Sequence, residues 1–259
     1  METVSVKGLV VRTVNLSEAD RLCEIYTDTL GLITASAKGA RYLKSGKLSG
    51  TIQFCYSSFL LTKKGDRYAV KEVTPIESFF NLRSSLEGMA LASYFCEILS
   101  TVGTADPEPE LLRLTLNSLY AIAGTKYPLP IIKGAFEIRA MAMIGFMPEV
   151  LDCRVCGEKT GDFFFDIMDG TLICDECRNS LEAEDEFDDG HQAYIVAMLS
   201  EGAKIALGYC IFSPLEKLFS FRITEDDTDL FCRAAERYLV NHLERTFKTL
   251  EFYHEVSHT

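Results

Sequence analysis

A chain of 259 residues that is 47% hydrophobic can bury a substantial core, as one large domain or about two to three small ones. No run approaches the roughly 20 apolar residues that cross a bilayer, and the start METVSVKGLVVRTV lacks the apolar region and cleavage site of a secretory leader, so the chain is expected to be cytoplasmic with no membrane partner. A net charge of −12 argues on average against a polyanionic partner, but residues 1–80 hold eleven Lys or Arg against eight Asp or Glu, net +3, whereas residues 81–259 hold fifteen against thirty, net −15.

The first 80 residues read as strands. VSVKGLVVRTV, RLCEIYTD, GLITASAKGA, TIQFCYSSFLLTK and YAVKEVTPI are short runs rich in Val, Ile, Thr, Tyr and Phe, with Lys64-Gly65-Asp66-Arg67 as a hairpin turn between the last two. Five closely spaced strands predict a small closed barrel, because closure removes exposed edges. Within it, KGARYLKSGK carries Lys38, Arg41, Lys44 and Lys47 with no acid, a pattern able to follow a phosphate backbone, with Tyr42 as a stacking surface. Arg12, Lys63, Lys64 and Arg67 lie elsewhere in the same barrel and extend the candidate patch; the competing reading is of ordinary solvated loop cations.

After Pro75 the apolar period changes to three and four residues (Phe79, Leu82, Leu86, Met89, Leu91, Phe95, Ile98, Leu99), which predicts one helix from about residue 79. A second helix follows Pro109 and stops at Gly124, and a third follows Pro128 and Pro130 to about Phe146, so three consecutive helices are expected to form a bundle. Beyond a cysteine-rich break at residues 150–180, six acids fall between Glu182 and Asp189, read as a solvated linker or helix start. Two further helices are expected, over HQAYIVAMLSEGAK and from about Asp226 to Phe247, the latter capped by Thr224 or Asp227. The expected division is thus a barrel over 1–80, a helical domain over 81–149 and 181–259, and an insert over 150–180.

Nine cysteines make an odd number in a chain of this size, which fits reduced thiols better than a disulfide framework. Cys23, Cys55, Cys96, Cys210 and Cys232 are scattered among apolar residues, where a thiol behaves as a small hydrophobe. The other four are paired: Cys153-x2-Cys156, seventeen residues, Cys174-x2-Cys177, within the spacing of a zinc ribbon. A tight knuckle presents two sulfurs to one tetrahedral ion, Gly157 frees the backbone after the first knuckle, and FFFDIMDGTLIC, turning at Asp169-Gly170, returns the second pair to the first. Four thiolates fill the coordination shell, so one structural Zn2+ is expected rather than a catalytic one; free or redox-active thiols are the competing reading.

No nucleophile elbow, phosphate-binding loop, histidine-rich metal set or paired acids in a plausible cleft stands out, so no catalytic residue is assigned and the chain is expected not to be an enzyme. His254 and His258 lie in the tail, while His191 and His242 sit at helical positions where packing or surface roles are the ordinary reading.

Together these features resemble the bacterial RecO family of recombination mediators. LVVRTVNLSEADRLCEIYTDTLGLITASAKGAR is similar to its opening barrel, SLEGMALASYFCEIL to its first bundle helix, FEIRAMAMIGFMPEVLDCRVCG to the helix leading into its zinc ribbon, and YLVNHLERTFKTLEF to its closing helix. The resemblance implies an α+β multidomain fold: an N-terminal OB-fold barrel, then an α-helical domain with an inserted zinc ribbon. It implies a role in recombinational DNA repair, in the cytoplasm at the nucleoid: binding single- and double-stranded DNA, annealing complementary strands and, with RecR, helping RecA load onto DNA coated by single-strand-binding protein. The matching positions are the four paired cysteines and Arg12, Arg21, Lys38, Arg41, Lys44 and Lys47. The acidic remainder of the chain then confines DNA to the barrel and leaves the acidic surface for a protein partner. A zinc-ribbon adaptor or transcription regulator that binds only proteins is the alternative.

Overall fold

The computed structural model describes residues 2–185 and 196–257. The chain divides into two compact units, residues 1–124 with 247–259 and residues 125–246.

In the first unit β1 (Glu2–Asn15) is long enough to serve two neighbours. Its first half pairs with β4 (Tyr56–Lys64), Glu2 opposite Lys63, and its second half with β2 (Arg21–Thr27), Asn15 opposite Arg21. β2 pairs with β3 (Gly31–Ala37), and β5 (Arg67–Glu77) joins β4 antiparallel and β3 parallel at Ala35–Tyr68, so the five strands close into a barrel. Alternation sets which side faces in: Ile33, Ala35 and Ala37 from β3, Phe59 and Leu61 from β4, and Val70 and Val73 from β5 meet Val6, Val10, Cys23 and Ile25 in one core. The fourth strand starts later than its composition suggests. Ser49–Thr51 is a 3-10 turn, and Phe54 takes a left-handed φ of 69°, so ladder pairing resumes only at Tyr56.

The helix expected from Phe79 is also divided. Phe79 is left-handed, Phe80–Ser84 is a 3-10 turn, and α1 (Leu86–Val102) begins after Ser85, whose extended backbone breaks the turn and whose hydroxyl accepts the Gly88 N–H at 3.0 Å. α2 (Pro109–Ala123) follows.

The second unit contains α3 (Leu129–Met143), β6 (Glu149–Cys153), β7 (Phe163–Asp166), β8 (Thr171–Cys174), α4 (Asp175–Asp185), β9 (Val196–Leu199), α5 (Glu201–Phe212) and α6 (Glu225–His242). The first unit is completed by α7 (Lys248–Ser257), packed along α1, where Thr249 Oγ1 donates to Glu97 at 2.5 Å. The three consecutive helices expected as one bundle are therefore shared between the units.

Two expectations for the C-terminal region are corrected. Of HQAYIVAMLSEGAK, the first five residues lie outside the described residues; the next four form β9 on the free edge of β7, giving a sheet of order β6-β8-β7-β9, and helix starts only at Glu201. The helix expected over 226–247 ends at His242, because Glu244 adopts a left-handed φ of 47°. Thr224 caps α6 as expected, accepting the Asp227 N–H at 3.2 Å, while the Asp227 carboxylate accepts from Ser200, the cap of α5, at 2.5 Å. Between α3 and α6, Lys133 is 3% exposed and pairs with Glu137 at 2.9 Å and Glu236 at 2.6 Å. Among the described residues no helix is long and apolar enough to cross a membrane.

Candidate metal centre and nucleic-acid interface

β6 ends on Cys153 and β8 on Cys174, and these strands run side by side, Cys153 opposite Leu172. The first knuckle closes when the Gly157 N–H donates to the Cys153 carbonyl at 2.9 Å, with Gly157 at a φ of 77°. The second lies at the junction of β8 and α4, which places Cys177 in the first turn of the helix. All four sulfurs lie within 4.8 Å of one another, Cys156 and Cys174 at 3.6 Å. A tetrahedral ion with bonds of about 2.3 Å needs sulfurs about 3.8 Å apart, so the set fits one such ion.

The local electrostatics favour a cation. Burial alone would raise the Cys153 thiol, but the N–H groups of Cys156, Cys174 and Val155, with the Cys156 side chain, outweigh it and bring the group to about 6. Cys174 receives the Cys177 N–H, which favours its thiolate, yet burial and the Cys156 and Cys153 sulfurs prevail and raise it. Cys177 is raised chiefly by Cys156 and Cys174. Sulfurs this close ionise together only when a cation neutralises them, so metal binding here displaces protons.

The surroundings brace this site. Arg154 donates to Asp169 at 2.8 Å and lies 3.7 Å from the buried Asp166, whose other oxygen accepts the Met168 and Asp169 N–H groups in the hairpin turn. Gly170, at a φ of 67°, ends that turn against α6: a Cβ there would lie 2.7 Å from the Tyr238 hydroxyl. The Tyr238 ring in turn packs 5.2 Å from Phe165. Arg178 lies over the Phe164 ring at 4.0 Å. Two of the ribbon's cations are thus engaged within the ribbon.

On the barrel, the nine basic candidates separate by position. The β4–β5 hairpin carries Lys63, Lys64 and Arg67 beside the start of β1, Lys63 opposite Glu2, whereas Arg21 lies opposite both Asn15 at the end of β1 and Ala37 at the end of β3. The segment after β3 therefore projects from the other end of β1. Lys64 and Arg67 are exposed, and Lys63 sits over the Tyr68 ring at 5.5 Å. Arg12 is exposed on β1 opposite Glu24.

Several of these cations are anchors. Arg21 Nη1 donates to the Thr51 carbonyl and hydroxyl, both at 3.0 Å, and Thr51 in turn donates to the Lys47 carbonyl at 2.7 Å. Lys47 Nζ reaches the Val70 carbonyl at 2.7 Å. Arg41 donates through Nη1 to the Ser17 carbonyl and through its backbone N–H to that of Ala19, while Gly39 N–H donates to Asp20 at 2.9 Å. What the loop presents to solvent is Lys38, Lys44, Tyr42, the outer face of the tethered Arg41 and a residue that charge counting overlooks, Leu43.

The remaining titratable candidates pack inward. Burial raises Cys23 to about 11 and Cys232 to about 12, and it also raises Cys55, Cys96 and Cys210, so these thiols stay protonated at neutral pH. His242 lies 4.2 Å from Tyr238 and 5.1 Å from Phe146, a packing position. His191 and His258 lie outside the described residues.

Two family models account for nearly the whole chain: "Recombination protein O N terminal" matches residues 1–79 and "Recombination protein O C terminal" residues 83–251. A protein of Acetivibrio thermocellus is 36% identical over 97% of this chain and 96% of its own length. Relatives in Alkaliphilus metalliredigens and Caldicellulosiruptor saccharolyticus are 28% and 26% identical, over 96% and 98% of this chain and 97% and 98% of their own lengths. All three carry the name DNA repair protein RecO. With barrel, cysteine cluster and full-length likeness all in agreement, the chain belongs to the RecO family of DNA repair proteins.

Proposed function

We propose that this chain is a non-enzymatic recombination mediator. Its barrel, an OB-fold, binds single- and double-stranded DNA and anneals complementary strands; with RecR the protein assists RecA loading on DNA coated by single-strand-binding protein, at the nucleoid. The observation that carries this reading is the loop after β3, which holds Lys38 and Lys44 in solvent on either side of Tyr42, fixed to the barrel by Arg41 and Lys47. Complementary strands repel through their phosphates. A rigid cationic loop that neutralises phosphate without engaging base-pairing edges raises the rate at which complementary sequences meet, and this needs no catalytic group.

One Zn2+, held by Cys153, Cys156, Cys174 and Cys177, is structural in this reading. It braces the ribbon, and four protein ligands leave no position for a substrate. The acidic residues beyond the barrel suit a protein partner rather than a second DNA path.

A titration of labelled single-stranded DNA at several salt concentrations tests the loop. Reversing Lys38 and Lys44 together to Glu should weaken binding and reduce the slope of log affinity against log salt by about 1.4, roughly 0.7 per phosphate contact. Unchanged affinity and slope would remove the loop from the mechanism and favour a protein-binding adaptor.

A further inference from the structure

The loop after β3 presents apolar surface as well as charge. Leu43 is 92% exposed, Tyr42 61% and Leu16, on the turn between β1 and β2, 56%. Three large apolar side chains left in water on neighbouring segments mark a contact surface.

They are held there by backbone geometry. The Ser17 carbonyl, one residue from Leu16, accepts Arg41 Nη1, and the Ala19 carbonyl accepts the Arg41 N–H at 3.0 Å, so the two segments are tied next to their apolar tips. The turn itself closes with Leu16 N–H on the Asp20 carbonyl at 3.0 Å and Asp20 N–H on the Ser17 hydroxyl at 3.0 Å. Gly39 is anchored to Asp20, and the Ser45 N–H donates to the Tyr42 carbonyl at 2.8 Å. Tyr42 also leans on Gly39, where a Cβ would come within 3.5 Å of its ring. A loop tied at this many points does not collapse to hide Tyr42 and Leu43. Its exposed apolar atoms are preorganised, and binding does not incur the entropy of ordering them.

We propose that Tyr42, Leu43 and Leu16 form a platform for unpaired bases and determine the preference of this loop for single-stranded over duplex DNA. The inference rests on the reading of the loop as a DNA site and adds which groups distinguish the two forms. Charge complementarity selects the occupant: Lys38 and Lys44 flank the apolar pair, and 38–47 contains no acid. The turn carries exposed Glu18, which directs phosphates toward the lysine side. In a single strand the base faces are available to stack on Tyr42 and to cover Leu43 and Leu16. In a duplex they are stacked on one another, so only the phosphates are offered, and the lysines treat both forms alike.

The test compares a labelled oligothymidylate with a duplex of the same length, each titrated at several salt concentrations. Because Tyr42 and Leu43 support no core, Y42A/L43A should fold normally. Single-strand affinity should fall about tenfold to a hundredfold, the loss of one to two stacked bases. Its salt slope should stay unchanged, and so should duplex affinity. Y42F should retain most single-strand binding. Equal losses for both DNAs, no loss for either, or a changed oligomeric state in Y42A/L43A would each overturn the proposal, the last by making the platform a contact between copies. The K38E/K44E protein separates the two claims. If it loses salt-dependent binding while Y42A/L43A binds both DNAs normally, only the base platform fails; if it too is unaffected, the loop is not the DNA site.

Discussion

Replacing Lys133 by Met tests how the second unit is held together around the cysteine cluster. Lys133 and Glu137 are 3% and 0% exposed and lie 2.9 Å apart, while Glu236 on α6 approaches Lys133 at 2.6 Å. Burial disfavours the ammonium, but Glu137 and Glu236 together outweigh it and raise the Lys133 pKa above its ordinary value. K133M removes the buried ammonium that Glu137 on α3 and Glu236 on α6 share, a loss of about 3–5 kcal/mol, and a single residue of α3 then weakens the contact with the helix whose Tyr238 supports the ribbon turn. At roughly 3–5 °C per kcal/mol for a unit of this size, the melting temperature should fall by about 10–25 °C. Differential scanning calorimetry of metal-loaded protein measures it. K133M/E137L, which removes both buried charges, should recover most of the loss. Wild-type stability in K133M, or a double variant no better than K133M, would show that the buried Lys133 charge does not tie α3 to Glu236 on α6.

Chelating the metal from loaded protein should lower the melting temperature of the second unit, because an ion present at a thousand times its Kd contributes about 4 kcal/mol. Single-stranded DNA affinity at a temperature where both units stay folded should hardly change, since the candidate DNA residues all lie on the barrel; an equal loss of DNA binding would place the ribbon in the interface. His242 should make stability depend on pH. Burial holds its pKa below the ordinary 6.5, with the Ile167 carbonyl opposing. Above 6.5 both folded and unfolded forms are neutral and nothing is lost; as pH falls below 6.5 the unfolded chain takes the proton first, and stability declines until the folded pKa is reached. Urea midpoints between pH 7.5 and 5.5 should show this decline, and H242F should flatten it.

Much of this was legible in the sequence because its signals are local. Alternation in GLITASA identifies β3 and the side it buries, and the C-x2-C pairs bring four sulfurs together as their spacing requires. Part of what escaped depends on partners distant in the chain. β9 is four residues long and is a strand because β7, some thirty residues earlier, offers a free edge. Ser85 divides a continuous apolar period by capping, which periodicity does not register. Charge counting does not separate Arg41 and Lys47 from Lys38 and Lys44, yet the first two, like the Arg21 that the resemblance adds, are tied to carbonyls, those of Ser17, Val70 and Thr51. One leucine in a polar segment, Leu43 reads as an ordinary loop residue; its 92% exposure on a pinned loop is visible only in three dimensions.

If the barrel loop brings complementary strands together without catalysis, its exposed lysines set the rate of annealing. An annealing assay tests it most directly, with complementary oligonucleotides coated by single-strand-binding protein and metal-loaded wild-type or K38E/K44E protein. Wild type should accelerate annealing in proportion to the protein bound, and K38E/K44E should reduce the rate several-fold with no change in fold. Equal annealing by the two proteins would show that Lys38 and Lys44 do not bring the strands together.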